Sequence, residues 1–182
     1  MSYSILNEEI IYHGKIFDLA RIRFQLPNGK EPVFEIVKHH GAVTVLPVDD
    51  QGNIWFIRQF RLGAGQELLE LPAGLLEEGE SAETSAAREV QEEIGMAAGR
   101  LEKLGEFYMV PGYSTEKLEI YLATDLYPST LPTDEFELLE KVSIPITEAV
   151  RMARAGEIKD GKTLATLFLA QPYLDQITTV QK

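Results

Sequence analysis

The stretch from Ser81 to Gly95 constrains this chain more than any other. Ala86, Ala87, Val90 and Ile94 recur at helical spacing, Ser81 offers an oxygen to the first free amides, and Gly95 stands where a left-handed terminator is preferred. The spacing predicts a helix over 81–94. On it Glu89, Glu92 and Glu93 fall at i, i+3 and i+4, so they share one face while the apolar residues lie mostly on others. Carboxylates so placed repel, each pair by roughly 0.2–0.5 kcal/mol even when exposed. Arg88, the i, i+4 partner of Glu92, is the one cation near enough along the helix to offset them. A solvated acidic face is one outcome of this pattern. The other is a site for hard divalent cations, which prefer oxygen ligands and tolerate several carboxylates.

Strand signals flank the helix. Glu9–Tyr12 is followed by Ile16–Leu26, where Ile16, Ala20, Ile22, Phe24 and Leu26 keep one face mostly apolar, with Asp18 the exception. Pro27-Asn28-Gly29 reads as a hairpin turn and Pro32–His39 as the returning strand. Gly41–Pro47 is nearly continuously apolar, as in a strand buried on both faces, and Ile54–Phe60 runs back. Strands recur at Leu101–Val110 and Lys117–Thr124, and helices at Thr147–Ala155, closed by Gly156, and at Lys162–Ala170. This order predicts an α/β (α+β) chain, a mixed β-sheet between helices with an N-terminal antiparallel strand hairpin. Residues 1–40 are expected to form a hairpin subdomain and 41–182 the main domain. The hairpin has more apolar face than it can bury alone, so a homodimer is expected.

Composition narrows the chemistry. With 182 residues the chain suits one ordinary domain. Seventeen Lys and Arg against 29 Asp and Glu give a net charge of −12, which argues against a nucleic-acid partner. The absence of cysteine excludes disulfide scaffolds, thiolate metal sites and thiol nucleophiles. The first nine residues lack the parts of a signal peptide and no apolar run is long enough to span a bilayer, so a cytoplasmic protein without a membrane partner is expected. His39 and His40 are adjacent, point to opposite faces of a strand and cannot chelate one ion. Gly63-Ala64-Gly65 lacks the third glycine and following helix of a dinucleotide fingerprint. A phosphate ester could approach so acidic a chain only if positive charge came from outside.

Gly74, five residues, Glu80, seven residues, then Arg88-Glu89-Val90-Gln91-Glu92-Glu93-Ile94-Gly95-Met96 resembles the Nudix box at every defined position. Seven such residues, each at roughly 5–8% usage, coincide by chance about once in 10⁸ windows. The resemblance implies a loop–helix–loop metal site in which Glu89 and Glu93 are the main magnesium ligands and Glu92 assists. It implies that Glu80 and Arg88 pair to tie the loop to the helix, and that the backbone carbonyl of Ala73 completes one metal shell. Two or three Mg²⁺, with Mn²⁺ able to substitute, would neutralise both the carboxylates and a diphosphate and lower the pKa of a bound water.

Pro111, 16 positions after Gly95, is similar to a proline of the ADP-ribose pyrophosphatase branch of that family. Glu116, Arg58 and Arg61, and Gly156-Glu157-Ile158 with Asp160 and Lys162-Thr163, add to the likeness. Arg58 and Arg61 lie three apart on an extended segment and face opposite sides, so one functional role is expected, and Arg61 matches the arginine directed at the substrate diphosphate. The branch also implies that Pro111 and Glu116 contact substrate, that the hairpin packs on its homodimer partner, and that Phe17 or Ile16 contacts the base. The branch further implies that the general base comes from the loop Thr133-Asp134-Glu135-Phe136-Glu137, where Glu135 is the best positional match and Glu137 the second. The expected activity is Mg²⁺-dependent hydrolysis of a nucleoside diphosphate sugar, ADP-ribose to AMP and ribose 5-phosphate. Two alternatives stay open: another nucleotide sugar such as GDP-mannose, and a ligand-sensing Nudix module without turnover.

Overall fold

Every residue of the strand Ala42–Pro47 is buried, and the two faces of that strand organise the main core. In the computed structural model, which describes residues 2–133 and 136–180, the chain order is β1 (Ser4–His13), β2 (Asp18–Gln25), β3 (Val33–Lys38), β4 (Ala42–Pro47), β5 (Asn53–Arg61), β6 (Gln66–Glu70), β7 (Ala73–Leu75), α1 (Ala82–Glu93), β8 (Met96–Tyr108), β9 (Lys117–Pro128), β10 (Glu140–Pro145), α2 (Ile146–Arg154) and α3 (Gly161–Val180). The strands form three sheets, β1-β2-β3, β10-β5-β6 and β7-β4-β9-β8. The α+β class and the antiparallel N-terminal sheet are those expected from the sequence.

On one side of β4, Val43 and Val45 join Ile57 and Tyr121 in a cluster with Ala86, Val90 and Ile94 of the α1 region. Leu46, on the other side, joins Ile54, Phe56 and Leu71 against Ala149 of α2 and Leu167, Ala170 and Leu174 of α3. The alternation of a fully buried strand thus sets α1 on one face and α2 and α3 on the other.

The chain divides into two compact units. One holds the residues up to Gly41 together with Phe107–Leu118; the other holds Ala42–Glu106 and the residues from Glu119 on. In the first unit, β2 and β3 pair antiparallel across the Asn28-Gly29 turn, where Gly29 has φ +78° and donates to the Leu26 carbonyl at 2.9 Å. The Val37 N–H donates to the Tyr113 carbonyl at 2.8 Å and the Thr115 N–H to the Val37 carbonyl at 2.9 Å, so the 110–116 turn is bonded to the end of β3.

Several boundaries differ from the sequence reading. β2 starts at Asp18 rather than Ile16, because the Gly14 N–H closes a turn on the Phe17 carbonyl at 3.0 Å. β6 and β7 were not expected: both are short, and their extended form comes from pairing with β5 and β4 rather than from local pattern. α3 runs through Pro172 instead of stopping at Ala170. Fully buried Ala170 and Leu174 on either side of the ring tie it to the core, and tertiary packing overrides the local breaker. Among the described residues no helix is long and apolar enough to cross a membrane.

Candidate active site

The helix that presents the carboxylates is well bounded. Ser81 Oγ accepts from the Thr84 N–H at 3.1 Å, and Gly95, with φ +74°, donates to the Gln91 carbonyl at 3.2 Å. Burying Ala86 and Val90 against the β4 side turns Glu89 and Glu93 inward, so that only 7% and 2% of their areas are exposed. Arg88 gathers the surroundings. Its Nε and Nη2 donate to Glu80 at 3.1 and 3.0 Å, and its Nη1 donates to Glu89 at 2.6 Å and to Glu92 at 2.9 Å. Its Nη2 also reaches the Leu75 carbonyl at 3.3 Å. The bonds to Glu80 raise the Arg88 pKa, and the guanidinium holds Glu80 below the usual carboxylate range.

Strand β7, through Ala73 and Gly74, lies directly against the helix. The Ala73 N–H donates to Glu93 Oε2 at 3.0 Å. A Cβ at Gly74 would stand 1.8 Å from Glu89 Oε1, so only glycine lets that carboxylate rest on the backbone. Burial pushes Glu89 up to about 7; Arg88 opposes this, while the charges of Glu92 and Glu137 add to it. Burial and then the charge of Glu89 raise Glu93 well above the usual range, with Glu137 contributing again. Among the described residues no three Asp, Glu or His side chains converge in a metal-holding group: Glu89 and Glu92 are drawn onto Arg88, and Glu93 onto the Ala73 amide. The donor set nevertheless fits a hard divalent cation. It offers carboxylate and carbonyl oxygens, two of the carboxylates are buried at a cost that a cation would relieve, and the backbone beside them carries no side chain.

A second cluster abuts the first. Glu70, with no exposed area, accepts from Arg61 Nε at 2.8 Å and Nη2 at 2.7 Å and also pairs with Lys162. Lys162 in turn pairs with Asp160 at 3.0 Å. Burial alone would raise the Glu70 pKa, but the bonds from Arg61 and Lys162 hold it below the usual range. The charge of Glu93 is felt at Arg61 and that of Lys162 at Glu93, so this cluster neighbours the helix carboxylates. Arg58 faces the opposite side and pairs with Glu140 at 3.2 Å. Sequence reasoning missed Glu70, whose one visible signal was a lone charge inside Leu68-Leu69-Glu70-Leu71.

The loop after β9 is anchored on α1. The Ser129 N–H donates to the Gly95 carbonyl at 3.1 Å, the Leu131 N–H to the Gln91 carbonyl at 3.3 Å, and Ser129 Oγ to Gln91 Oε1 at 3.0 Å. Glu135 lies outside the described residues; Glu137, on the same loop, acts electrostatically on both Glu89 and Glu93. Ala73, Glu89, Glu92 and Glu93 are thus brought together, with Arg61 beside them. Phe17, Pro111 and Glu116 belong to the other unit. Phe17 is 42% exposed with its ring 6.4 Å from that of Tyr12, Pro111 is exposed within the 110–114 turn, and the Glu116 N–H donates to Ser114 Oγ at 3.1 Å.

A helix carrying three glutamates, tied by Arg88 to the end of β7 and to Glu80 in the loop that follows it, on an α+β fold, defines a class. The NUDIX domain model matches residues 38–167, and the chain belongs to the Nudix domain family. It is 40% identical over 158 residues to the ADP-ribose pyrophosphatase of Bacillus subtilis (strain 168), covering 86% of this chain and 85% of that protein. To the GDP-mannose pyrophosphatase of Yersinia pestis (strain Pestoides F) it is 39% identical over 142 residues, covering 72% and 71%. The crystal structure of an ADP compounds hydrolase superimposes with a TM-score of 0.85 at 29% identity, covering 97% of this chain and 96% of that one.

Proposed function

We propose that this chain is a nucleoside diphosphate sugar pyrophosphatase that, with Mg²⁺, cleaves ADP-ribose to AMP and ribose 5-phosphate. One observation carries the chemistry: buried Glu89 and Glu93 face the Ala73-Gly74 backbone with Glu92 beside them. Glu89 and Glu93 are the main metal ligands, Glu92 assists, and the Ala73 carbonyl adds an oxygen. Two or three Mg²⁺ held there, or Mn²⁺ in their place, supply charge neutralisation for the diphosphate and a water of lowered pKa. Arg61 spends Nε and Nη2 on Glu70, and Nη1 carries two further N–H groups suited to a phosphate oxygen. The helix glutamates are committed to cations, so the proton of the attacking water goes to a carboxylate of the loop 129–139. Glu135 is the positional match there, and the reach of Glu137 to Glu89 and Glu93 supports it as the second candidate. Phe17, Pro111 and Glu116 serve the nucleotide side, in an assembly of two copies joined through the N-terminal hairpin sheet.

ADP-ribose is favoured over GDP-mannose because the likeness to the ADP-ribose pyrophosphatase extends over more of the chain. The full carboxylate set argues against a sensor without turnover, which has no need of it. The test is incubation with Mg²⁺ and a panel of nucleotide sugars, comparing kcat/KM, with Glu93→Gln alongside. ADP-ribose is expected to give AMP with the highest kcat/KM. Glu93→Gln, which keeps size and removes a charge, is expected to lose orders of magnitude in kcat while remaining folded. Near-wild-type turnover by the folded variant at saturating Mg²⁺ would reject the site.

A further inference from the structure

The segment from Glu70 to Ala73 leads into the carbonyl that the reading above gives to the metal, and polar groups along it are tied down one after another. Glu70 is held by Arg61 and Lys162. The Leu71 N–H donates to Thr163 Oγ1 at 2.9 Å. The Pro72 carbonyl accepts from the Val45 N–H at 2.9 Å and from Thr44 Oγ1 at 3.2 Å. The Ala73 N–H donates to Glu93. Strand β4 and helix α1 supply the last two anchors, whereas the start of α3 supplies Lys162 and Thr163.

Thr163 has no exposed area, and its hydroxyl is fully specified. It donates to Asp160 Oδ2 at 2.6 Å while accepting the Leu71 amide. The same Asp160 oxygen accepts the Thr163 N–H at 2.9 Å, capping α3, and Asp160 also pairs with Lys162. One carboxylate therefore orients both the hydroxyl that grips Leu71 and the ammonium that grips Glu70. We propose that Asp160, Lys162 and Thr163 are positioning residues: they form a strap from the start of α3 that sets the backbone of Leu71–Ala73, and with it the placement of the Ala73 carbonyl toward a divalent cation. The proposal rests on the metal reading of the Ala73–Glu93 site. It goes beyond that reading by giving the start of α3 a role in metal affinity although none of the three residues is a ligand. Partners of this kind cost about 10–100-fold in affinity or activity when removed.

The test is Mn²⁺ binding to the full-length protein without substrate, followed by electron paramagnetic resonance, together with amide hydrogen exchange at Leu71 and Ala73. Thr163→Val keeps shape and removes the hydroxyl; Thr163→Ser restores it. Thr163→Val is expected to weaken Mn²⁺ binding about tenfold or more, to speed exchange at both amides, and to lower kcat more than it changes KM. Thr163→Ser is expected to stay within about twofold of wild type, since it keeps the oxygen that Leu71 uses. Lys162→Met, which releases Glu70 from the strap without touching Thr163, should weaken Mn²⁺ in the same direction and covers the case that Thr163→Val does not fold. Glu93→Gln is the control. If Glu93→Gln weakens Mn²⁺ binding and the folded strap variants do not, the strap is merely an anchor for α3 and the proposal is overturned while the metal reading stands. If none of these variants changes Mn²⁺ binding, both are overturned.

Discussion

A methyl group at position 74 would meet Glu89 Oε1 at 1.8 Å, and the atom it meets is the far end of a side chain that can swing away. Stability and function therefore part company at this residue. Gly74→Ala is expected to keep the melting temperature within a few degrees while weakening Mg²⁺ binding at least about tenfold, because Glu89 must leave the backbone it rests on. Calorimetry for metal and thermal unfolding for stability read the two effects separately; loss of both together would mean that the pairing of β7 with β4 had given way. The loop carboxylates give a second prediction at this scale. Replacing the general base by glutamine is expected to lower kcat about 10²–10⁴-fold with little change in Mg²⁺ requirement. Comparing Glu135→Gln with Glu137→Gln in single-turnover kinetics assigns the role to the variant with the larger loss, and equal indifference of both removes the base from this loop. The three helix glutamates were legible because their spacing is local. The partners of Glu70 were not, since Arg61 lies 9 and Lys162 lies 92 positions away, and no local pattern links them.

At the scale of elements, Glu70 joins β5, β6 and the start of α3 through one carboxylate. Its pKa in the fold lies below the usual value, so the fold favours the ionised form. Its contribution is accordingly present above the unfolded-state pKa of about 4.3 and is lost as the pH falls through the folded value. Glu70→Gln leaves the half-exposed Arg61 and the more buried Lys162 facing a neutral amide and is expected to cost about 1–3 kcal/mol near pH 7. Urea unfolding repeated in acid should show the gap between wild type and variant narrowing below about pH 4; a gap independent of pH would mean that the charge of Glu70 is not what stabilises the fold. Helix α1 could be read almost to the residue, because its cap and terminator are both local signals. The course of α3 beyond Pro172 could not, since what holds it there is the packing of Leu174 against distant strands. Strand β6 was hidden for a like reason: Gln66–Glu70 has helix-forming residues and is extended by its pairing with β5.

The whole molecule carries apolar surface that its N-terminal sheet leaves open. Tyr3, Ile5 and Phe34 are 62%, 65% and 46% exposed, and a groove of about 350 Å³ runs among Tyr3, Ile5, Ile22, Phe24, Phe34 and Ile36. A face of this kind fits a second copy related by two-fold symmetry. Light scattering at micromolar concentration is expected to give about twice the chain mass of 20.4 kDa, and Phe34→Asp is expected to shift the species toward monomer. A monomeric wild-type protein would reject the assembly.

The bonds from Ser129 and Leu131 to Gln91 and Gly95 have a consequence of their own. The segment that leaves β9 toward Glu137 is rooted at Ser129 and Leu131 on the very helix that bears Glu89, Glu92 and Glu93, so sequence stretches some 40 positions apart share one bench mark. A tilt of α1 carries Ser129 and Leu131 with it, which keeps the root of that segment in step with the helix glutamates when the core shifts slightly. The same shared root limits what can be transplanted. A loop taken from a relative keeps its bearing only if the residues matching Gln91 and Ser129 travel with it; grafted without them, it would arrive with the right carboxylates aimed from the wrong place.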